Sequence, residues 1–180
     1  WQQRQDCPRL RWYSINATPQ GLLRYPSRLA KIVRSFQPDL IWACSDAPHA
    51  LIGWALKGRL HRPLVIDLYD NFESFGVTRL PGLKSLLRAA CRGADGLTLV
   101  SHTLDDYVAA NYGVTAPRMV IGNAVPENLF LPLDRYAARE RLGLPARARL
   151  VGTAGAICAD RGIADLFTAF ERLARNDHDL

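Results

Sequence analysis

Residues 118–130 read RMVIGNAVPENLF, and residues 148–170 read ARLVGTAGAICADRGIADLFTAF. These two stretches decide the fold. In the first, Met119, Val120 and Ile121 form an apolar strand that Gly122-Asn123-Ala124-Val125-Pro126 breaks. The second opens on a strand over 150–153. Gly155 and Gly162 then bracket a loop containing Arg161, and a helix follows with Ile163, Leu166, Phe167 and Phe170 on one face. A strand, a glycine-containing loop and a helix N-terminus make an anion site. Free backbone N–H groups and the helix dipole both favour a phosphate there. The pair of stretches reads as the end of one α/β unit, a crossing linker and the first β-α unit of another, with a ligand held between two domains.

Working outward, apolar strand-like runs alternate with helical ones. Strands are predicted over 10–15, 40–44, 64–68, 96–100 and 119–121. Helices are predicted over 22–36, 48–60, 83–91 and 104–112, with Pro26 disturbing the first. Such alternation is the mark of a parallel sheet covered by helices, and near-universal right-handed crossovers make the sheet doubly wound. The fold class is therefore α/β.

In open α/β sheets, ligands bind beyond the carboxyl ends of the strands. Those ends carry Ser45-Asp46, then Asp67 and Asp70 with Asn71 and Glu73, then Ser101-His102, then Asn123. All are polar residues that follow apolar strands. Ser101 and Asp46 read equally well as helix N-caps, and Asp67 and Asp70 as turn formers before Asn71.

Composition describes a globular chain, 48% hydrophobic and 22% charged, without an apolar run long enough for a membrane span. The four cysteines (7, 44, 91, 158) form no CxxC pair and the four histidines no ligand motif, so a metal site is not expected. Net charge is +6, with Arg outnumbering Lys by 20 to 3. Residues 1–128 hold 15 Lys and Arg against 10 Asp and Glu, a balance of +5. A basic first domain suits phosphates or an anionic membrane surface. The basic residues are dispersed, without aromatic interleaving, which argues against nucleic acid. No GxGxxG occurs, which argues against a dinucleotide-dependent oxidoreductase.

Several pieces, in order, resemble the retaining GT-B glycosyltransferases of family 4. They are Pro38-Asp39 before LIW, Pro63 before LVID and Asp70, Ala94-Asp95 leading to Ser101, Val120-Ile121 with Asn123 and Phe130, and Gly155 with Arg161-Gly162-Ile163. The resemblance implies a Rossmann-like acceptor-side domain over 1–128, a linker over 129–147, and the beginning of a nucleotide-sugar-binding domain over 148–180. It implies transfer of a sugar, with retention, from a nucleotide-sugar to a glycan, lipid-linked or small-molecule acceptor, with no further cofactor. It places Asp70 as the catalytic candidate, and Ser45, Asp67, Glu73, Ser101 and Asn123 on the acceptor side. Gly155, Arg161 and Gly162 become the donor-phosphate loop. A cytoplasmic location follows, with peripheral contact on the inner face of the membrane.

Some family positions differ. The loop Arg is Ala156, the strand-end His is Tyr69, and the Gly after Asn123 is Ala124. The family's acidic E-x7-E element is expected beyond Leu180 and its opening strand before Trp1, so the chain is expected to be a piece of a longer protein. The alternative is a non-catalytic α/β module that binds a phosphorylated ligand or a protein partner.

Overall fold

The structure is a computed structural model that describes residues 2–7, 10–16, 18–73 and 76–176. It divides into two units, Trp1–Ala124 and Val125–Leu180.

The first unit is built on four parallel strands: β3 (Ile41–Ala43), β4 (Leu64–Leu68), β5 (Gly96–Leu99) and β6 (Arg118–Val120), side by side in that order. Ala43 pairs with Ile66, Ile66 with Leu97, and Leu99 with Val120. Helices α2 (Ala47–Leu60), α3 (Leu83–Arg92) and α4 (His102–Tyr112) connect them.

The period-two pattern of β4 explains where the core sits. Leu64, Ile66 and Leu68 are buried, while Val65 and Asp67 are half-buried. Register puts Leu97 and Leu99 on the same face as Ile66 and Leu68. Helix α4 meets that face with Leu104, Val108 and Tyr112, one per turn, and α3 with Leu87, Ala90 and Cys91. Each fully buried Leu or Ile contributes about 1.5–3 kcal/mol, so β4 and β5 with their helices dominate the unit's stability. Helix α2 approaches more closely through Ala47, Ala50 and Gly53. A Cβ on Gly53 would lie 2.7 Å from the Ala43 Cβ, so glycine is required there.

Ends are fixed by local chemistry. Asp46 caps α2 and Ser101 caps α4, each accepting from a backbone N–H three residues on. Asp95 works at the opposite edge of the sheet. Its carboxylate accepts from the Leu64 N–H and from Lys57 on α2, both at 2.8 Å, which lowers its pKa.

The strand expected over 10–15 forms as β2 (Leu10–Ser14) but lies outside the parallel sheet. It pairs antiparallel with β1 (Gln2–Cys7), Arg4 opposite Trp12. A two-residue connection allows only an antiparallel partner, since a parallel one needs a long crossover. Helix α1 (Pro19–Phe36) follows, capped by Thr18, and tolerates Pro26 as its eighth residue.

The second unit contains α5 (Arg135–Arg141), capped by Asp134, a 3-10 turn at Ala159–Arg161, and α6 (Ile163–Asn176). The stretch 129–147, expected as linker, carries α5. One expectation is corrected here. The stretch 150–153 is not a strand, and Leu150 and Val151 are exposed. A strand needs a neighbour to take its backbone hydrogen bonds, and none of the described residues of this unit supplies one.

Candidate functional site

Because β3 to β6 run parallel and in register, the residues after them share one edge. Ser45, Asp70, Ser101 and Asn123 all lie there. Their local settings differ.

Ser45 sits between β3 and the α2 cap with φ +106°, a conformation that costs a non-glycine residue about 1–3 kcal/mol. Its neighbour Asp46 is engaged twice, by the His49 N–H at 3.3 Å and by His49 Nδ1 at 2.5 Å. The Tyr25 ring meets His49 edge-on at 5.8 Å. Tyr25, Cys44 and His49 form the polar end of a groove of about 370 Å³, whose apolar walls include Leu29, Val33, Phe36 and Ile52. Burial, then the Asp67 charge, pushes the Cys44 thiol up.

Asp70 stands two residues beyond the end of β4 and is exposed. One carboxylate oxygen accepts from the Asn71 N–H at 2.7 Å. The Asn71 side chain accepts from the Glu73 N–H at 3.2 Å, closing an Asx turn. Asp67 lies within β4, on the face away from the core, and accepts from the Thr98 hydroxyl of β5. Ser101 is half-buried, its hydroxyl accepting from the Leu104 N–H at 3.2 Å, so its side chain serves α4. Asn123 is exposed just beyond β6.

Glu73 is the correction in this set. It is 6% exposed and does not present its carboxylate to the edge. Arg88 of α3 grips both its oxygens, Nε to Oε1 at 2.6 Å and Nη2 to Oε2 at 2.8 Å. The Tyr107 hydroxyl of α4 donates to Oε2 at 3.1 Å, and Tyr112 adds a further hydrogen bond. The Arg88 hydrogen bonds, with those tyrosines, hold the carboxyl below the usual range against the opposing effect of burial. Arg88 in turn lies 5.4 Å from the centre of the Tyr112 ring, a cation–π contact. The adjoining Cys91 thiol is pushed up to about 12, chiefly by burial, so it is inert. Sequence reading missed Arg88, Tyr107 and Tyr112. They lie 15, 34 and 39 residues from Glu73, and only the packing of α3 and α4 brings them together.

In the second unit, Gly155 has φ +132° and Gly162 φ +67°, both conformations that favour glycine. The Gly162 N–H bonds to the Ala159 carbonyl at 3.1 Å, and α6 begins at the next residue. Arg161 is exposed and its side chain has no partner among the described residues. Asp165 stands in the first turn of α6, another feature missed in the sequence. An acid there satisfies the helix dipole from within and competes with an outside anion. Among the described residues, no group of three His, Cys, Asp or Glu is placed to hold a metal ion. No described helix is long and apolar enough to cross a membrane.

A family model described as Glycosyltransferase Family 4 matches residues 3–129. The chain belongs to Glycosyltransferase Family 4. Its fold is similar to that of Anabaena Alr3699/HepE, solved in complex with UDP (23% identity, TM-score 0.53, covering 74% of this chain and 36% of that one). The HepE complexes with UDP-glucose and with UDP and glucose match at 26% identity, with TM-scores of 0.50 and 0.51. They cover 70% and 73% of this chain and 34% and 35% of HepE. The chain thus spans about a third of the length of the structures it matches. A search of curated proteins gives no match. The Family 4 match covers the four parallel strands and their polar edge, and ends before the Gly155–Gly162 loop begins.

Proposed function

We propose that this chain forms part of a glycosyltransferase that moves a sugar from a nucleotide-sugar to an acceptor with retention of configuration. The observation that carries the reading is Asp70. It is an exposed carboxylate at the carboxyl end of a central parallel strand in a Family 4 chain, with one oxygen tied down among the described residues. In that place it can orient an acceptor hydroxyl by taking its hydrogen bond. The hydroxyl oxygen then bonds to the anomeric carbon on the face from which the nucleoside diphosphate departs, as retention requires, and its proton passes to the Asp70 carboxylate. The departing phosphate gains negative charge, which fixed N–H groups and a cation must meet. Arg161 and the first turn of α6, which begins at Ile163, are the proposed donors of that stabilisation, and Arg suits phosphate through its planar fork. The HepE complexes support a uridine-diphosphate sugar as the donor class. No cofactor beyond that donor is needed.

The acceptor-side set reduces to Asp70, Ser45, Asp67 and Asn123, with Ser101 fixing α4 at the same edge. A peripheral position on the inner face of a membrane fits α1. The helix carries Arg24, Arg28, Lys31 and Arg34, all exposed, and no acid. Its apolar side lines the groove against β3 and α2, which leaves the basic side outward. Each basic residue near an anionic surface contributes about 1 kcal/mol, enough for loose, salt-sensitive contact with a lipid-linked acceptor.

The non-catalytic reading has Ala156 and Tyr69 in its favour, where the family carries a cation and a histidine. One experiment separates the two. The full-length protein is incubated with a panel of nucleotide-sugars and acceptors, and products are followed by proton NMR. Transfer with the donor's anomeric configuration retained is the expected result. Binding of UDP without turnover of any donor would favour the module, and an inverted product would remove the retaining assignment.

A further inference from the structure

The turn that carries Asp70 is held from beneath. Three links run from α3 to the Asp70 carboxylate. Arg88 grips the buried Glu73 carboxylate in a two-pronged ion pair. The Glu73 N–H binds the Asn71 side chain, and the Asn71 N–H binds Asp70 Oδ1. Between them, Phe72 is buried against the core and its carbonyl accepts from the buried Thr78 hydroxyl, which closes the segment on its far side. The exposed end of this relay is at the sheet edge; its other end is charged, buried and shared between α3 and α4.

We infer that Arg88 is a positioning residue for the reaction. Through Glu73 it fixes the backbone of residues 70–73 and so the direction of the Asp70 carboxylate. This rests on the proposed role of Asp70. The physical ground is that an exposed Asx turn alone is mobile, whereas a paired carboxylate on a buried side chain has one allowed place. Arg is required because two parallel N–H donors set both oxygens at once; Lys supplies the charge without the fork. Tyr107 and Tyr112 complete the cradle.

The test has two arms. In the first, amide hydrogen exchange is measured on the chain itself for Arg88→Lys and Tyr107→Phe. The Asn71 and Glu73 amides should exchange about tenfold faster or more, with the β4 amides of Ile66 and Leu68 unchanged. No acceleration at 71 and 73, or equal acceleration at all four, overturns the inference. Tyr107→Phe removes a single hydrogen bond, so it carries this arm even if Arg88→Lys fails to fold.

In the second arm, UDP release from UDP-glucose is followed in the full-length protein. Arg88→Lys should lower kcat about tenfold with KM for UDP-glucose unchanged, as expected for a misdirected group. In an Asp70→Asn background the same change should cost less than twofold, because the residue it acts through is already disabled. Equal losses in both backgrounds overturn the positioning role while leaving Asp70's own role intact. If Asp70→Asn alone changes nothing, the proposed function of Asp70 falls, and the exchange arm still decides whether Arg88 pins the turn.

Discussion

The turn after β4 and the loop between Gly155 and Gly162 are both short and each presents a charged side chain, Asp70 or Arg161, to solvent, yet they are built differently. Residues 70–73 stand on the buried Glu73 carboxylate, which side chains from two helices hold. The loop rests on two left-handed glycines and one 3-10 turn, and its cation, Arg161, reaches no partner among the described residues. The contrast teaches that the direction of an exposed side chain is set by what lies under its backbone. A turn pinned from below can hold a group that must point one way. A loop of glycines whose cation has no partner among the described residues instead suits a ligand, such as a phosphate, that supplies the missing partner when it binds.

The largest effect expected of this difference is on stability. Arg88→Met leaves the Glu73 carboxylate buried with tyrosine hydroxyls alone, and should cost about 3 kcal/mol in urea unfolding, since breaking a buried pair leaves an uncompensated charge. The pair also has a pH signature. Glu73 has a depressed pKa when folded, so its contribution is present above the ordinary carboxylate value of about 4.3 and is lost as pH falls through the lower folded value. Glu73→Gln should flatten that acid limb. An unchanged limb would mean that other carboxylates set it.

Arg161→Ala should do the reverse, sparing stability and damaging turnover. A charge-assisted hydrogen bond to phosphate is worth about 1.5–3 kcal/mol, a rate loss of roughly ten- to more than a hundredfold in the full-length protein. Arg161→Lys should recover part of it. The melting temperature of this chain should barely move, as for most exposed substitutions. If Arg161→Ala leaves turnover intact, the donor phosphate is held elsewhere and the contrast between the two regions loses its functional meaning.

A smaller effect sharpens the first region. Ser45 holds φ +106° at the same sheet edge, and Ser45→Gly should relieve that strain and stabilise the chain by about 1 kcal/mol. A loss of stability would show that the serine side chain makes up for its own backbone.

Much of the first region was legible in the sequence. The alternation in LVIDL and GLTL marks β4 and β5, and the one-turn spacing of Leu104, Val108 and Tyr112 marks α4. Ser101 and Asp46 could be read as caps or as ligands, and their hydrogen bonds to N–H groups three residues on give them the capping role. Glu73 was misread because its partners are distant in sequence and no spacing connects them. β1 escaped because QQRQDC has no apolar alternation; it is paired through its backbone with β2. The run LVGT over 150–153 has the composition of a strand but, among the described residues, no neighbour to pair with, and composition cannot supply one.

The central claim is that Asp70 acts in sugar transfer, and one measurement meets it directly. Sugar transfer to the acceptor, from the nucleotide-sugar that the full-length protein turns over, is compared between that protein and its Asp70→Asn form, with donor affinity and melting temperature as controls. The account predicts a fall in kcat of about a hundredfold, roughly 2.7 kcal/mol of lost transition-state stabilisation, with both controls unchanged. A rate within twofold of the parent would contradict it.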